Sequence, residues 1–439
     1  MQPLPLAVAG LGICLGIWLA REQWVLALAL AAGLVILVLP IEATLGIYAF
    51  LLPFDSVSRL GNSPDGRALT FYIGGLATLA LLATGLLRER LQVPPRAFWA
   101  WLGFAAWAML TELWAIDGNA ALNQIPTILG LLALYAAAVC FRISRQQLSR
   151  IVFFAVLGGM AASMISVRDF LSGVSTIEAR SSLISGSQQA DPNIFAASLM
   201  IPLALAASEC LSTKRLFEKV MLLLAILVIG FAILLTMSRG AVLGLVAMAI
   251  VFLWRLRPRP AIMVLLGALG CTMTGLIMLV LPPLFILRFK NALATGGAGR
   301  LDIWTAGISA LKHFVVQGAG MNNFEVAYQN YAGFAPIFRG YSRAAHNIYL
   351  EITVELGVVG LTLFLLSVYF QLRALRGPHS VRSRRDPMAI ACEAMIGGVL
   401  VSAFFVGLLW QKSFWMVWIL SAFAAQTLHA SSGLNAAEV

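Results

Sequence analysis

Charged residues are scarce in this chain of 439 residues: Asp, Glu, Lys and Arg together make up 11 %, against 60 % hydrophobic residues. With a mean hydropathy of +0.90, that balance excludes an ordinary soluble domain. Acids are scarcer still, 19 against 30 bases. Cysteines number five, Cys14, Cys140, Cys210, Cys271 and Cys392, and all lie in or at the ends of apolar runs. A disulfide framework or thiolate metal site in the polar segments is thereby unsupported, and they read as small buried apolar residues. No Asp-x-Asp or His-Glu-x-x-His spacing occurs, so the sequence implies neither a metal nor a cofactor. Internal repeats, low-complexity linkers and a separate soluble domain are missing as well. Residues 1–439 read as one integral membrane domain.

What is there, above all, is long apolar runs. Windows near 4–20, 24–39, 41–53, 69–87, 97–115, 120–141, 150–167, 193–209, 219–236, 239–254, 261–286, 347–371, 388–409 and 413–428 approach or reach membrane-spanning length. The expectation is an all-α polytopic protein with about twelve, and up to fourteen, transmembrane helices. The first run has no Lys or Arg before it and reads as a retained span, not a signal peptide.

The net charge of +11 invites a nucleic-acid reading, but its distribution argues for orientation instead. Bases cluster at Arg88–Arg96, Arg142–Arg150, Lys214–Lys219, Arg255–Arg259 and Arg373–Arg385, in breaks between alternate spans. Cytoplasmic loops carry that signature. The breaks at 54–68, 168–192, 237–239 and 287–346 then face outward, and both termini face the cytoplasm.

The outer segment 287–346 is the one long polar excursion. In LDIWTAGISALKHF the residues Ile303, Trp304, Ile308 and Leu311 recur at helical spacing, Gly318 and Gly320 break the pattern, and NNFEVAYQNY is expected to form a second short helix. Such pieces suit the membrane surface or the cap of a cavity.

Outward-facing cations are exceptions to the orientation rule and need their own explanation. Arg239, in LLTMSRGAVLG, stands at a tight reversal between two apolar runs, where an ionisable group is costly unless it has work to do; the simpler role is a snorkelling side chain. Arg300 follows GGAG and precedes a helix, so a helix N-terminus and a planar guanidinium meet, a good anion site. Arg288, Lys290 and Arg343 reinforce the positive potential, and Arg180 lies in the second outer loop beside Asp191-Pro192-Asn193, which reads as a helix start. His346, at the lip of a span, can accept a proton from a sugar hydroxyl at neutral pH if a neighbour fixes its tautomer. Asn347 follows it, and Glu355 lies two to three turns into the span, where it is expected to orient His346 or pair an arginine.

Three stretches carry a resemblance: TMSRGAVLG around Arg239, GRLDIWTAGISALKHFVVQGAGMNNF from Gly299, and AHNIYLEITVELGVVGL from Ala345, with a weaker echo in the segment from Arg180 to DPNIFA. Together they resemble the O-antigen ligase and polymerase superfamily of bacterial inner-membrane glycosyltransferases. The resemblance implies a GT-C type fold and an active site facing the periplasm. It implies an undecaprenyl-pyrophosphate-linked glycan as donor and metal-independent transfer with inversion at the anomeric carbon. By motif match, Arg239, Arg300 and Arg180 would hold the pyrophosphate, and His346 would act at the acceptor hydroxyl. Lipid A-core is the expected acceptor if the chain is a ligase, the branch favoured because the outer break 168–192 is much shorter than 287–346. The polymerase, a protein-glycosylating relative, and a lipid-glycan flippase without chemistry are the alternatives.

Overall fold

The computed structural model describes residues 39–59, 67–173, 180–186, 188–258, 275, 299–376 and 386–432. Among them the chain is helical, apart from one hairpin of two-residue strands, β1 (Ile184–Ser185) and β2 (Gln188–Gln189), paired antiparallel. In chain order the helices are α1 (Ile41–Leu51), α2 (Leu69–Leu87), α3 (Arg96–Leu110), α4 (Gly118–Cys140), α5 (Arg145–Leu171), α6 (Pro192–Ser212) and α7 (Leu216–Leu235). They continue as α8 (Arg239–Leu256), α9 (Arg300–Phe314), α10 (Phe324–Tyr331), α11 (Ile348–Arg376), α12 (Pro387–Ser402) and α13 (Lys412–Ser432).

Seven of these, α2, α4, α5, α6, α7, α8 and α11, are long and apolar enough to cross a membrane, which makes the chain a multi-pass membrane protein. The larger expected count is not reached among the described residues, for two reasons. The windows at 4–20, 24–39 and 261–286 lie almost wholly outside those residues. Others resolve into shorter pieces: α1 has 11 residues, α3 has 15 and α12 has 16, below the ~20 that span a bilayer. The first two of these run on into 3-10 turns, Leu52–Val57 and Thr111–Trp114.

Local sequence explains the helix starts. Asp191 caps α6, its side chain accepting from the N–H groups of Asn193 and Ile194, with Pro192 at the first helical position; this is the start read from the sequence. Ser144 and Gln147 form a reciprocal capping box at α5, and Ser238 caps α8. Small residues then let the helices approach closely, as apolar interfaces in lipid require. A Cβ on Gly244 of α8 would come 2.7 Å from the carbonyl oxygen of Gly398 in α12, and one on Gly158 of α5 would come 2.2 Å from that of Phe50 in α1.

Buried charge ties the helix ends that carry the basic clusters. Glu393 of α12 pairs with Arg255 of α8 at 3.3 Å and with Arg376 of α11 at 3.6 Å. A buried charge in an apolar bundle is tolerated only when so matched.

Candidate active site

The outer segment does form two short helices, α9 and α10, separated by a turn in which Gly318 and Gly320 take φ values of 80° and 102°. That turn is fastened from two sides. On one side α11 is kinked at Gly357 (φ 67°), which frees carbonyls near the kink. Ala319 N–H donates to the Val354 oxygen at 2.8 Å, Gly320 N–H donates to that of Glu355 at 3.0 Å, and Val358 N–H donates back to Val315 O at 2.8 Å. On the other side, the junction of α3 and α4 receives it. Met321 N–H donates to the Thr111 hydroxyl at 2.9 Å, and Asn323 accepts from Asp117 N–H at 2.7 Å. A Cβ on Gly318 would stand 2.1 Å from the Glu355 oxygen, so a side chain there cannot fit.

Upon this frame the N-terminus of α9 is held in place. Arg339 pairs with buried Asp302, in the first turn of α9, at 2.7 Å. A Cβ on Gly299 would lie 2.8 Å from the Arg339 Nε, so the glycine before Arg300 leaves room for that pair. Trp304 Nε1 donates to the Ala345 oxygen at 3.0 Å, and Ile348 N–H donates to Ala403 O at 2.9 Å. These two bonds bracket His346, whose φ of 47° is left-handed. That conformation costs a non-glycine residue about 1–3 kcal/mol and persists only where its surroundings enforce it.

The guanidinium of Arg300 lies over the Phe405 ring, 5.9 Å from its centroid. Phe405 in turn packs on Gly240, whose added Cβ would stand 2.8 Å from the Phe405 Cβ. Gly240 follows Arg239, the first residue of α8, in the reversal that begins after α7; Met237 in that reversal has φ 52°. Arg180 reaches the same reversal: its Nε donates to Thr236 O at 2.8 Å and its Nη2 to Asn193 Oδ1 at 2.7 Å. Three arginines from three separate segments thus converge. Their mutual repulsion registers on Arg300, whose pKa is lowered by burial and by Arg239 and Arg180, with Asp191 opposing. A guanidinium remains cationic through such a shift.

His346 belongs to the same constellation. Burial first, then Arg300, lower its pKa below the ordinary imidazole value; Asp191 opposes this, Arg343 adds to it, and Glu325 opposes it weakly. At neutral pH the ring is therefore uncharged, the form that accepts a proton.

Residues 223–365 match the family described as O-antigen ligase. Over those residues, about a third of its length, the chain is similar to that family. No curated protein matches it. The matched stretch takes in Arg239, Arg300 and His346 and leaves Arg180 and Asp191 outside it.

Of the remaining sequence-predicted residues, Arg288 and Lys290 lie outside the described residues. Arg343 is exposed, and its Nε donates to the Arg339 oxygen. Asn347 is buried and caps α11, its Oδ1 accepting from Tyr349 N–H at 3.0 Å and Leu350 N–H at 3.2 Å. The expectation that Glu355 orients His346 or pairs an arginine is corrected. Its buried carboxyl accepts from the N–H groups of Asn322 at 2.9 Å and Phe324 at 3.0 Å, which makes it an anchor for the turn into α10. Two contributors escaped the sequence reading. Asp191 looks like a helix cap and nothing more until its charge is found to act on both Arg300 and His346. Phe405 sits among other aromatic residues in an irregular link, with no periodicity to mark it.

Proposed function

We propose that this protein is an O-antigen ligase, transferring a glycan from undecaprenyl pyrophosphate to a sugar hydroxyl of lipid A-core at the outer face of a bacterial inner membrane, within a GT-C type fold. The observation that carries this reading is the convergence of Arg180, Arg239 and Arg300 beside an uncharged His346.

Each group has a definite part in such a transfer. The arginines balance the pyrophosphate charge and stabilise it as it leaves, without need of a divalent ion. His346 takes the proton from the acceptor hydroxyl as its oxygen attacks the anomeric carbon. The bond from that carbon to the acceptor oxygen forms on the face opposite the breaking bond to pyrophosphate oxygen, so the configuration inverts. Undecaprenyl pyrophosphate departs with the bonding electron pair, and His346 is left protonated until it releases the proton to solvent. Arg343, Arg288 and Lys290 add positive potential for the donor's approach.

The test is reconstitution of the purified protein with lipid-linked glycan and lipid A-core. Capped lipopolysaccharide should form, and His346→Ala should insert normally while losing that product. Longer lipid-linked glycans in place of capped core would assign the polymerase reaction. Movement of lipid-linked glycan across a bilayer with no covalent product would assign a flippase instead.

A further inference from the structure

Away from the arginine cluster, at the ends of the helices that carry basic residues, a groove of about 500 Å³ opens between α5, the last turn of α6 and the start of α7. Its walls are apolar: Phe153, Leu157 and Met160 from α5 face Phe217, Met221 and Leu222 from α7. Phe153 and Phe217 are 63 % and 75 % exposed, so the groove faces outward from two membrane-crossing helices. Along α5 it runs from Ser149 to Met160, and along α7 from Phe217 to Ala225. At 1.5 Å per residue that is roughly 12–17 Å, close to the hydrocarbon depth of one leaflet, about 15 Å.

One end of the groove is charged in a particular way. Glu209 lines it and is partly buried, and among the described residues its carboxylate has no hydrogen-bond or ion-pair partner. The other nearby charges are already committed: Arg145 pairs with Asp386 at 3.3 Å, and Arg215 with Glu218 at 3.0 Å. Lys214 and Lys219 flank the groove residues Thr213 and Glu218 and are exposed. An unpaired carboxylate inside, two exposed cations each next in sequence to a lining residue, and an apolar channel one leaflet deep complement a zwitterion on an acyl chain.

We propose that this groove binds an aminophospholipid of the phosphatidylethanolamine type. Its ammonium sits on Glu209, its phosphate lies at Lys214 and Lys219, and one acyl chain follows α5 and α7. The head groups divide on chemistry. A primary ammonium donates hydrogen bonds to a carboxylate, a quaternary choline has none to donate, and a glycerol head leaves the carboxylate charge uncompensated. The site is independent of the transfer reaction proposed above.

The experiment is competitive binding of chain-matched phosphatidylethanolamine, phosphatidylglycerol and phosphatidylcholine to the full-length, delipidated protein in detergent, read by native mass spectrometry. Phosphatidylethanolamine should be retained in preference to the other two by about tenfold, the worth of one charge-assisted hydrogen bond. Glu209→Gln should erase that preference. Met221→Trp, which fills an exposed part of the groove, should lower retention of all three lipids. Should either variant lose its monodisperse elution, Lys214→Glu together with Lys219→Glu replaces it, with loss of phosphatidylethanolamine expected. Equal retention of the three lipids by the wild type, or an unchanged preference in Glu209→Gln, overturns the proposal.

Discussion

Glu355→Ala separates a structural role from a chemical one. The wild-type carboxyl is 3 % exposed and accepts two backbone N–H groups, those of Asn322 and Phe324. Without it, the Phe324 donor is left buried with no acceptor. Asn322 is exposed and its N–H can be hydrated in part. An unsatisfied buried donor costs about 1–3 kcal/mol, so the pair together should destabilise the turn by about 3 kcal/mol, or roughly 100-fold in its opening equilibrium. Because the loss is local, the membrane helices should stay folded.

Hydrogen exchange reads this directly. Amides in residues 319–328 should exchange about 100-fold faster in Glu355→Ala, with those of α6 and α8 unchanged. Glu355→Gln keeps one acceptor oxygen but turns an amide N–H toward the other donor, so its effect should fall between wild type and alanine. Donor binding should weaken as the frame under Arg300 loosens. If exchange in 319–328 is unchanged in Glu355→Ala while transfer is abolished, the carboxyl acts on substrate and the anchoring role is wrong.

Arg239→Ala and Arg300→Ala should each abolish donor binding with normal membrane insertion, measured by retention of lipid-linked glycan. Arg300→Lys should recover little, because an ammonium lacks the planar fork and the stacking on Phe405. Since burial and Arg300 lower the His346 pKa, the base form predominates at neutral pH. Transfer by the wild type should be flat from there upward and fall tenfold per pH unit once acid enough to protonate the ring. The same shift means the folded state binds fewer protons than the unfolded one, so this residue's contribution to stability is also lost as pH falls. Finally, Glu393→Ala strands the guanidinium of Arg255, whose side chain is 11 % exposed. It should destabilise the bundle by about 3–5 kcal/mol, read as a lowered midpoint of thermal unfolding in detergent.

Much of this arrangement is legible in the chain itself because it rests on local rules. The Asp191-Pro192 start of α6, the amphipathic run of α9 and the breaks at Gly318 and Gly320 each follow from a few neighbouring residues. Arg239 stands out because a cation at an apolar reversal has few bland explanations. The rest depends on distant partners. Glu355 finds its donors more than thirty residues away, and nothing around it distinguishes two backbone N–H groups from an arginine. Gly357 kinks α11 inside a long helical run, where a lone glycine is as readily carried straight through. Histidine tolerates positive φ better than most residues but occupies it only in a small minority of positions, so the left-handed backbone at His346 is imposed by its distant partners. Helix length within the apolar windows is hidden for a related reason: α1 and α3 run on into 3-10 turns without losing their apolar character.

The electrostatics of the cluster bear on the order of events in the proposed transfer. Burial, then Arg300 and to a smaller extent Arg343, suppress protonation of His346, while Asp191 opposes them. An arriving pyrophosphate brings negative charge to the same guanidiniums and so weakens their hold on the ring. Its proton affinity then rises, as that of any base does when nearby positive charge is neutralised. His346 is therefore a weak base while the arginines are bare and a stronger one once the donor is seated. An acceptor hydroxyl that arrives first meets a ring poorly able to take its proton, and with no anomeric carbon in place there is nothing for it to attack. In the proposed transfer this charge arrangement favours donor before acceptor: a pyrophosphate held by the arginines would also raise the proton affinity of the histidine that is to act.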